Sequence, residues 1–166
     1  SSPVRLLRCG RPLLTATELE FLRTDSGSKR TITSISDLKR HRSGGYEETG
    51  AEDPAYLVYT SGTSGRPKGV LHAQRAVLGR APMHQGWQGL GEDDVVLHSG
   101  ALNWTYAMGA GLMDPWVHGA TAVIHDGDKD IAVWEQLMRQ HRVTIFASVP
   151  GLYRQLLRSG FKPPAS

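Results

Sequence analysis

The sequence contains a single cysteine, Cys9, so no disulfide can form within the chain. This excludes the small secreted scaffolds that depend on several disulfides, and it favours a reducing cytoplasm as the location. Nothing near Cys9 in the sequence would activate its thiol. We therefore expect Cys9 to be a small buried apolar residue rather than a nucleophile.

Long apolar runs are also missing. No stretch approaches the roughly 20 apolar residues of a transmembrane helix, and the arginines near the start surround no signal-peptide core. We expect neither a membrane span nor an export signal. The chain starts at Ser1 rather than Met and stops after Pro163-Pro164-Ala165-Ser166, as expected of a truncated reading frame.

The excess of positive charge is small, a formal +3 from 19 Lys+Arg and 16 Asp+Glu. Basic residues gather between Lys29 and Arg42, but acidic residues follow directly from Glu47 to Asp53. This arrangement is typical of a solvated surface and argues against a nucleic-acid-binding stripe. The 166 residues, 39% of them hydrophobic, suffice for one compact domain.

Short apolar runs rich in β-formers alternate with helical patterns through the last two thirds of the chain. Strands are predicted at residues 55–59 (a buried strand), 69–72, 95–98, 120–125 and 143–147. Helices are predicted over 73–87 with an interruption at Pro82, after Asp130, and from Ser148 and Pro150 onward. The last of these is expected to bury Leu152, Tyr153, Leu156 and Leu157. A further helix is indicated by apolar residues at every fourth position: Trp104, Met108, Leu112 and Trp116.

This alternation predicts an α/β fold with a mixed or mostly parallel sheet flanked by helices. Residues 1–52 are weakly patterned, with a short strand expected at 4–7, a loop at 25–28 and a short helix at 36–42. Residues 53–158 form the predicted core region, and 159–166 form a truncated tail.

The loop at residues 59–69, Tyr-Thr-Ser-Gly-Thr-Ser-Gly-Arg-Pro-Lys-Gly, carries the clearest chemistry. Gly62 and Gly65 permit backbone angles with which successive N–H groups can point into one concavity. Lys68 adds positive charge, and hydroxyl groups add donors at Thr60, Ser61, Thr63 and Ser64. These are components for holding a polyphosphate. The spacing from Gly62 to Lys68 differs from that of a Walker A loop, and a Ser/Gly-rich surface turn remains an alternative.

In its exact residue order, the stretch 57–70 closely resembles the signature of the adenylate-forming superfamily. That superfamily contains acyl- and aryl-CoA synthetases, luciferases and the adenylation domains of peptide synthetases. The resemblance continues through the aromatic segment around Trp104 and the Gly119-Ala120-Thr121 strand, and it covers about residues 53–158. It implies an incomplete piece of the large N-terminal domain of an AMP-forming acyl-CoA synthetase.

The resemblance implies that the whole protein uses ATP to turn a carboxylic acid into an acyl-adenylate, which coenzyme A converts to a thioester. ATP, Mg²⁺ and coenzyme A are thus the expected cofactor and co-substrates. The phosphates of ATP would be held by Thr60, Ser61, Gly62, Thr63, Ser64, Gly65 and Lys68, with Lys68 as the catalytic residue. Trp104, Tyr106 and Gly109 would line the acid pocket, with core packing as the alternative. Their bulk favours a small, medium or aromatic acid over a long chain.

Parts of the family's active site are not found before Ser166: its Tyr-Gly-x-Thr-Glu block, its ribose-binding aspartate and its C-terminal lysine. We therefore expect the 166 residues alone to be inactive. His72, His98 and His118 lack metal-ligand spacing, so no metal site is predicted. Three alternatives stay open: a non-catalytic nucleotide-binding remnant, an adenylation domain of another branch, and an unrelated α/β domain with a Ser/Gly loop.

Overall fold

The computed structural model describes residues 6–7, 15–28, 31–32, 48–60 and 67–163, and for 6–7 and 31–32 it describes the backbone. The chain divides into two compact units, Ser1–Ala76 and Val77–Ser166, which are described in turn.

The first unit begins with a two-stranded parallel pair, β1 (Leu6–Leu7) with β2 (Thr31–Ile32), and helix α1 (Ala16–Asp25) lies between them in sequence. The strand expected at 4–7 is confirmed where it is described, and the turn after α1 is confirmed at residues 26–27. The helix expected at 36–42 lies outside the described residues.

Helix α1 itself was not predicted. It starts at a capping box in which the Thr15 hydroxyl accepts the Glu18 N–H, while the Glu18 carboxylate accepts the Thr15 N–H. Of its residues, Leu22 is the buried one. A helix with so little buried surface leaves almost no apolar periodicity in the sequence, and the capping box was the signal to find it.

The other strands of this unit are β3 (Pro54–Thr60) and β4 (Lys68–Ala73), which pair antiparallel and lead into a 3₁₀ turn at Gln74–Ala76. The two predicted strands are confirmed. The expected burial of the first is wrong, because Val58 is the one buried residue of β3. This sheet has two strands among the described residues. Each strand therefore has one neighbouring strand, which covers most side chains from one side at most.

The second unit is built on a parallel sheet of β5 (Val95–His98), β6 (Thr121–Val123) and β7 (Ile145–Ala147) in the order β6-β5-β7. All three strands were predicted, the last two with longer bounds. Since parallel neighbours need crossover connections, helices lie between consecutive strands. The predicted α/β class with a parallel sheet and flanking helices is confirmed.

The helical segment 78–88 leads into this sheet. It consists of a 3₁₀ turn (Leu78–Arg80), one α-helical turn α2 (Ala81–Met83) and a π-helical turn (His84–Gln88). The helix predicted over 73–87 is confirmed in part: Ala73 is the last residue of β4, and short helical turns follow at 74–76 and 78–88. Pro82 lies in the first turn of α2, where its missing N–H breaks no helical hydrogen bond.

The helical segment 105–117 connects β5 to β6 and consists of α3 (Thr105–Met108), a π-helical turn (Gly109–Met113) and α4 (Asp114–Val117). The four residues of the predicted apolar face do not share a buried face: Trp104 and Trp116 are 48% and 63% exposed. The wide π turn changes the helical period, and the buried residues of the segment are small or polar: Ala107, Gly109, Ala110, Gly111, Asp114 and Pro115.

Helices α5 (Ile131–Gln140) and α6 (Pro150–Arg158) complete the unit. One core cluster consists of Leu97, Trp134, Met138 and Leu156, and a second consists of Leu90, Val96 and Ala120. Asp130 occupies the predicted N-cap of α5, although its side chain makes no capping bond. The expected burial of Leu157 and Tyr153 is wrong, since they are 73% and 40% exposed.

In the described part of the chain, no helix combines the length and the apolar character needed to cross a lipid bilayer.

Candidate functional site

The predicted phosphate-binding loop connects β3 to β4. Thr60 is the last residue of β3, Lys68 is the first residue of β4, and the two are paired across the antiparallel ladder. Both are exposed. The other predicted phosphate-binding residues lie outside the described residues: Ser61, Gly62, Thr63, Ser64 and Gly65. The paired strands hold the two ends of the loop side by side, and they place Lys68 at its base.

The Tyr59 ring anchors this end of the hairpin within the first unit. Its hydroxyl donates a hydrogen bond of 2.6 Å to Asp25 Oδ2 at the end of α1. A Cβ atom at Gly69, the residue paired with Tyr59, would lie 3.2–3.4 Å from Leu57 and from the Tyr59 ring, so glycine lets the ring lie close over β4. Burial, together with the Asp25 carboxylate, raises the pKa of Tyr59 to about 12. Tyr59 thus stays a neutral donor throughout the physiological pH range.

The aromatic residues predicted to line the acid pocket lie together in the second unit. The rings of Trp104 and Tyr106 pack edge to face at 5.3 Å, and Tyr106 also contacts Trp87 at 5.9 Å and His98 at 4.8 Å. We call these four residues the aromatic group. Trp87 is 56% exposed and Trp104 48%, so the group presents apolar surface while Tyr106 lies among the other rings.

Sequence reasoning missed Trp87 and gave His98 no role beyond that of a surface or core histidine. His98 is a core residue, 7% exposed, at the carboxyl end of the central strand β5. That position was the available signal, since ligands of parallel α/β sheets bind beyond the carboxyl ends of the strands.

One hydrogen bond and burial determine the protonation state of the His98 ring. Its Nδ1 accepts the Gly100 N–H at 2.8 Å, and burial lowers its pKa. The ring is therefore neutral, with its proton on Nε2. Glycine at position 111 makes room for it, since a Cβ atom there would lie 2.5 Å from His98 Cβ.

Gly109, the third predicted pocket residue, lies against the guanidinium group of Arg80. A Cβ atom at Gly109 would lie 2.4–2.8 Å from the guanidinium atoms. Arg80 in turn donates from Nε and Nη2 to the two carboxylate oxygens of Asp114, at 2.6 and 2.7 Å. The role of Gly109 as a wall of the acid pocket stays a prediction, and its observed neighbour is Arg80.

Asp114 is the centre of a buried polar network that sequence reasoning did not find. Its side chain is fully buried, and His84 Nε2 lies 3.2 Å from its Oδ1. His84 Nδ1 lies 2.7 Å from Nε2 of His118, in the same unit. Burial raises the pKa of Asp114, but the hydrogen bonds and charge of Arg80, with help from His84, outweigh burial and leave the pKa below its usual value. The one sequence signal was an aspartate within an otherwise apolar helix.

Metal-binding side chains are not clustered in the described ranges. No group of three or more His, Cys, Asp or Glu side chains there is placed to hold a metal ion, so the described residues do not form a Mg²⁺ site.

A sequence model of the family described as AMP-binding enzyme matches residues 23–166. The chain is 35% identical over 121 residues to an acetyl-coenzyme A synthetase of Xanthomonas oryzae pv. oryzae, which covers 70% of this chain and 19% of the relative. It is 37% identical over 109 residues to a 3-hydroxybenzoate/4-hydroxybenzoate–CoA ligase of Thauera aromatica, which covers 66% and 21%. The chain thus spans about a fifth of the length of the curated relatives it matches.

Two solved structures have the same fold. An o-succinylbenzoate CoA synthetase from Bacillus subtilis, in complex with its acyl-adenylate intermediate, superposes with a TM-score of 0.79 at 23% identity, over 97% of this chain and 47% of that one. A benzoate CoA ligase from Burkholderia xenovorans LB400 superposes with a TM-score of 0.76 at 23% identity, over 89% and 35%.

Proposed function

This chain belongs to the AMP-binding enzyme family, and we propose that it is part of an acid–CoA ligase that releases AMP. In the first step, a carboxylate oxygen of the acid attacks the α-phosphorus of ATP, and pyrophosphate leaves. In the second step, the sulfur of coenzyme A attacks the acyl carbon of the adenylate, and AMP leaves as the thioester forms. The similarity to an acetyl-coenzyme A synthetase and to a hydroxybenzoate–CoA ligase supports this assignment.

The first step brings two anions together, and the electrostatic repulsion between them must be offset as negative charge moves onto the leaving pyrophosphate. We assign this role to the loop 60–65 and to the ammonium group of Lys68. The observation that carries the proposal is the direct pairing of Thr60 with Lys68 across β3 and β4. This pairing places the two ends of a sequence rich in N–H and hydroxyl donors side by side, with Lys68 next to them.

The aromatic group is proposed to bind the acid. Its rings supply flat apolar surface around Tyr106, and two of its members are half exposed. Such a surface suits a small or aromatic acid better than a long flexible acyl chain, because a flat ring buries area at a low entropic cost. ATP and coenzyme A are the proposed co-substrates. A cytoplasmic location is proposed from the single cysteine.

The 166 residues alone are proposed to be inactive, because the family blocks for adenine, ribose and the C-terminal lysine do not occur in this sequence. A folded but non-catalytic nucleotide-binding remnant is the alternative. It predicts ATP binding without any acid-dependent reaction in the complete protein that carries this chain.

The test is acid-dependent exchange of pyrophosphate into ATP by that complete protein. Lys68→Ala is expected to lower the exchange rate by about a hundredfold and to weaken ATP binding, since one charged partner of the phosphates is lost. Lys162→Ala removes an equally exposed lysine and serves as the matched control, with an exchange rate expected to equal that of the wild type. Equal rates in the two variants would contradict the role assigned to Lys68.

A further inference from the structure

The Arg80–Asp114 ion pair joins two helical segments that also carry two members of the aromatic group. Arg80 belongs to the segment 78–88, which also carries Trp87, and Asp114 belongs to the segment 105–117, which also carries Tyr106. The ion pair and the Trp87–Tyr106 contact therefore connect the same two segments.

The ion pair also spans the π-helical turn from one end to the other. The Asp114 N–H donates to the Gly109 carbonyl, which closes the wide turn. The Arg80 guanidinium lies on Gly109 at the start of that turn and binds the Asp114 carboxylate just after its end. A π turn is rarely stable by itself and is frequent at functional sites. This one is supported at both ends by a single side chain.

His84 and His118 complete the network around the buried carboxylate. His84 Nε2 lies 3.2 Å from Asp114 Oδ1, but it makes no hydrogen bond among the described residues. His84 Nδ1 and His118 Nε2 share a hydrogen bond of 2.7 Å. Asp114 is thus held by two hydrogen bonds from Arg80 and lies beside the His84 ring, which leaves the Asp114 side chain little freedom to rotate.

From this arrangement we infer that Arg80 and Asp114 are positioning residues for the acid: their ion pair, seated on Gly109, sets the π turn and with it the placement of Tyr106 against Trp87. Tyr106 lies three residues before Gly109 on the same continuous helical segment, so a change in the turn reorients its ring. The inference rests on the proposed function, because it concerns the surface proposed to bind the acid.

The experiment uses the complete protein and measures KM separately for the acid and for ATP in pyrophosphate exchange, with benzoate as the acid. The double variant Arg80→Met/Asp114→Leu replaces the ion pair by apolar side chains, which keeps a buried site without leaving a lone charge. Gly109→Ala displaces the guanidinium while keeping both charges. We expect both variants to raise the KM for benzoate by about tenfold to a hundredfold and to change the KM for ATP less than about twofold.

Arg75→Met is the matched control, since Arg75 forms an exposed ion pair with Glu52 in the first unit. It should leave both KM values unchanged. If the ion pair only stabilises the fold, the result differs. Any loss of activity then parallels the loss of thermal stability, and the KM values for benzoate and for ATP change equally. The inference is overturned if the double variant or the Gly109→Ala protein folds and has the wild-type KM for benzoate. Absence of exchange in the wild type with any acid would instead overturn the proposed function, and the inference with it.

Discussion

The hairpin β3–β4 and the helical segment 105–117 carry the residues singled out in the sequence, and they are built in opposite ways. At the hairpin end, Thr60 and Lys68 are exposed, and their placement follows from strand pairing. In the helical segment, placement depends on the fully buried Asp114 and its charged partners. The ends of the loop are held by strand pairing alone, whereas the helical segment is supported by a buried ion pair. The comparison predicts large effects of substitution on stability in the helical segment and small effects on stability at the hairpin.

The largest effect is expected for Asp114→Ala. This substitution removes the Asp114 carboxylate from the partly buried Arg80 guanidinium, and breaking a buried ion pair costs about 3–5 kcal/mol. Denaturant unfolding of the complete protein, followed by tryptophan fluorescence, measures the loss. Glu52→Ala removes the carboxylate of an exposed pair and is the control, with less than about 1 kcal/mol expected. If Asp114→Ala and Glu52→Ala lower the free energy of unfolding by similarly small amounts, the two regions do not differ in the way described.

Gly109→Ala should have the next largest effect, about 1–3 kcal/mol. A guanidinium group could usually move aside, but here the two hydrogen bonds to Asp114 hold it in place. Gly79→Ala is the matched control, because a Cβ atom there would meet nothing within 4 Å. Thermal unfolding of both variants distinguishes them, and a Gly109→Ala protein as stable as Gly79→Ala would show that the guanidinium is not fixed.

Tyr59→Phe is expected to cost about 1 kcal/mol at neutral pH, since it removes one hydrogen bond to Asp25. The pKa of Tyr59 in the folded state, about 12, is raised above its ordinary value near 10. The stabilisation it provides is therefore complete below about pH 10 and is lost as the pH rises from about 10 to 12. Phenolate absorbance during an alkaline titration checks this. If all tyrosines ionise near pH 10, the anchoring of the hairpin described above is wrong.

The smallest effect concerns the ionisation of His98, whose pKa burial lowers below its ordinary value. A lowered pKa means that the unfolded chain binds the proton more readily, so stability falls as the pH drops below about 6.5 and levels off below the folded-state pKa. Nitrogen-15 NMR of the imidazole groups should show His98 as the Nε2–H tautomer at neutral pH. Observation of the Nδ1–H tautomer would contradict the hydrogen bond from Gly100.

The sequence alone was sufficient for the parallel sheet, because each of its strands is a short run of β-formers ended by polar or glycine residues. It was sufficient for strands β3 and β4 as well, which pair from Thr60 and Lys68 onward. It was not sufficient for the buried face of the segment 105–117. The prediction from apolar residues at every fourth position between Trp104 and Trp116 requires a regular α-helix. The π turn that starts at Gly109 interrupts the regular helical period.

Contacts between distant residues explain the remaining differences. Arg80 and Asp114 are 34 positions apart, and neither has a pattern around it that indicates a partner. Helix α1 shows the opposite case, in which a local signal at Thr15 and Glu18 was present but the apolar pattern was too weak to support it.

The most direct test of the whole account is mass spectrometry of the products that the complete protein forms from benzoate and ATP before coenzyme A is added. We predict benzoyl-AMP and pyrophosphate in equal amounts, with formation strongly reduced in Lys68→Ala. Release of ADP and phosphate, or an absence of acyl-AMP across a panel of small and aromatic acids, would contradict the assignment of this chain to an AMP-forming acid–CoA ligase.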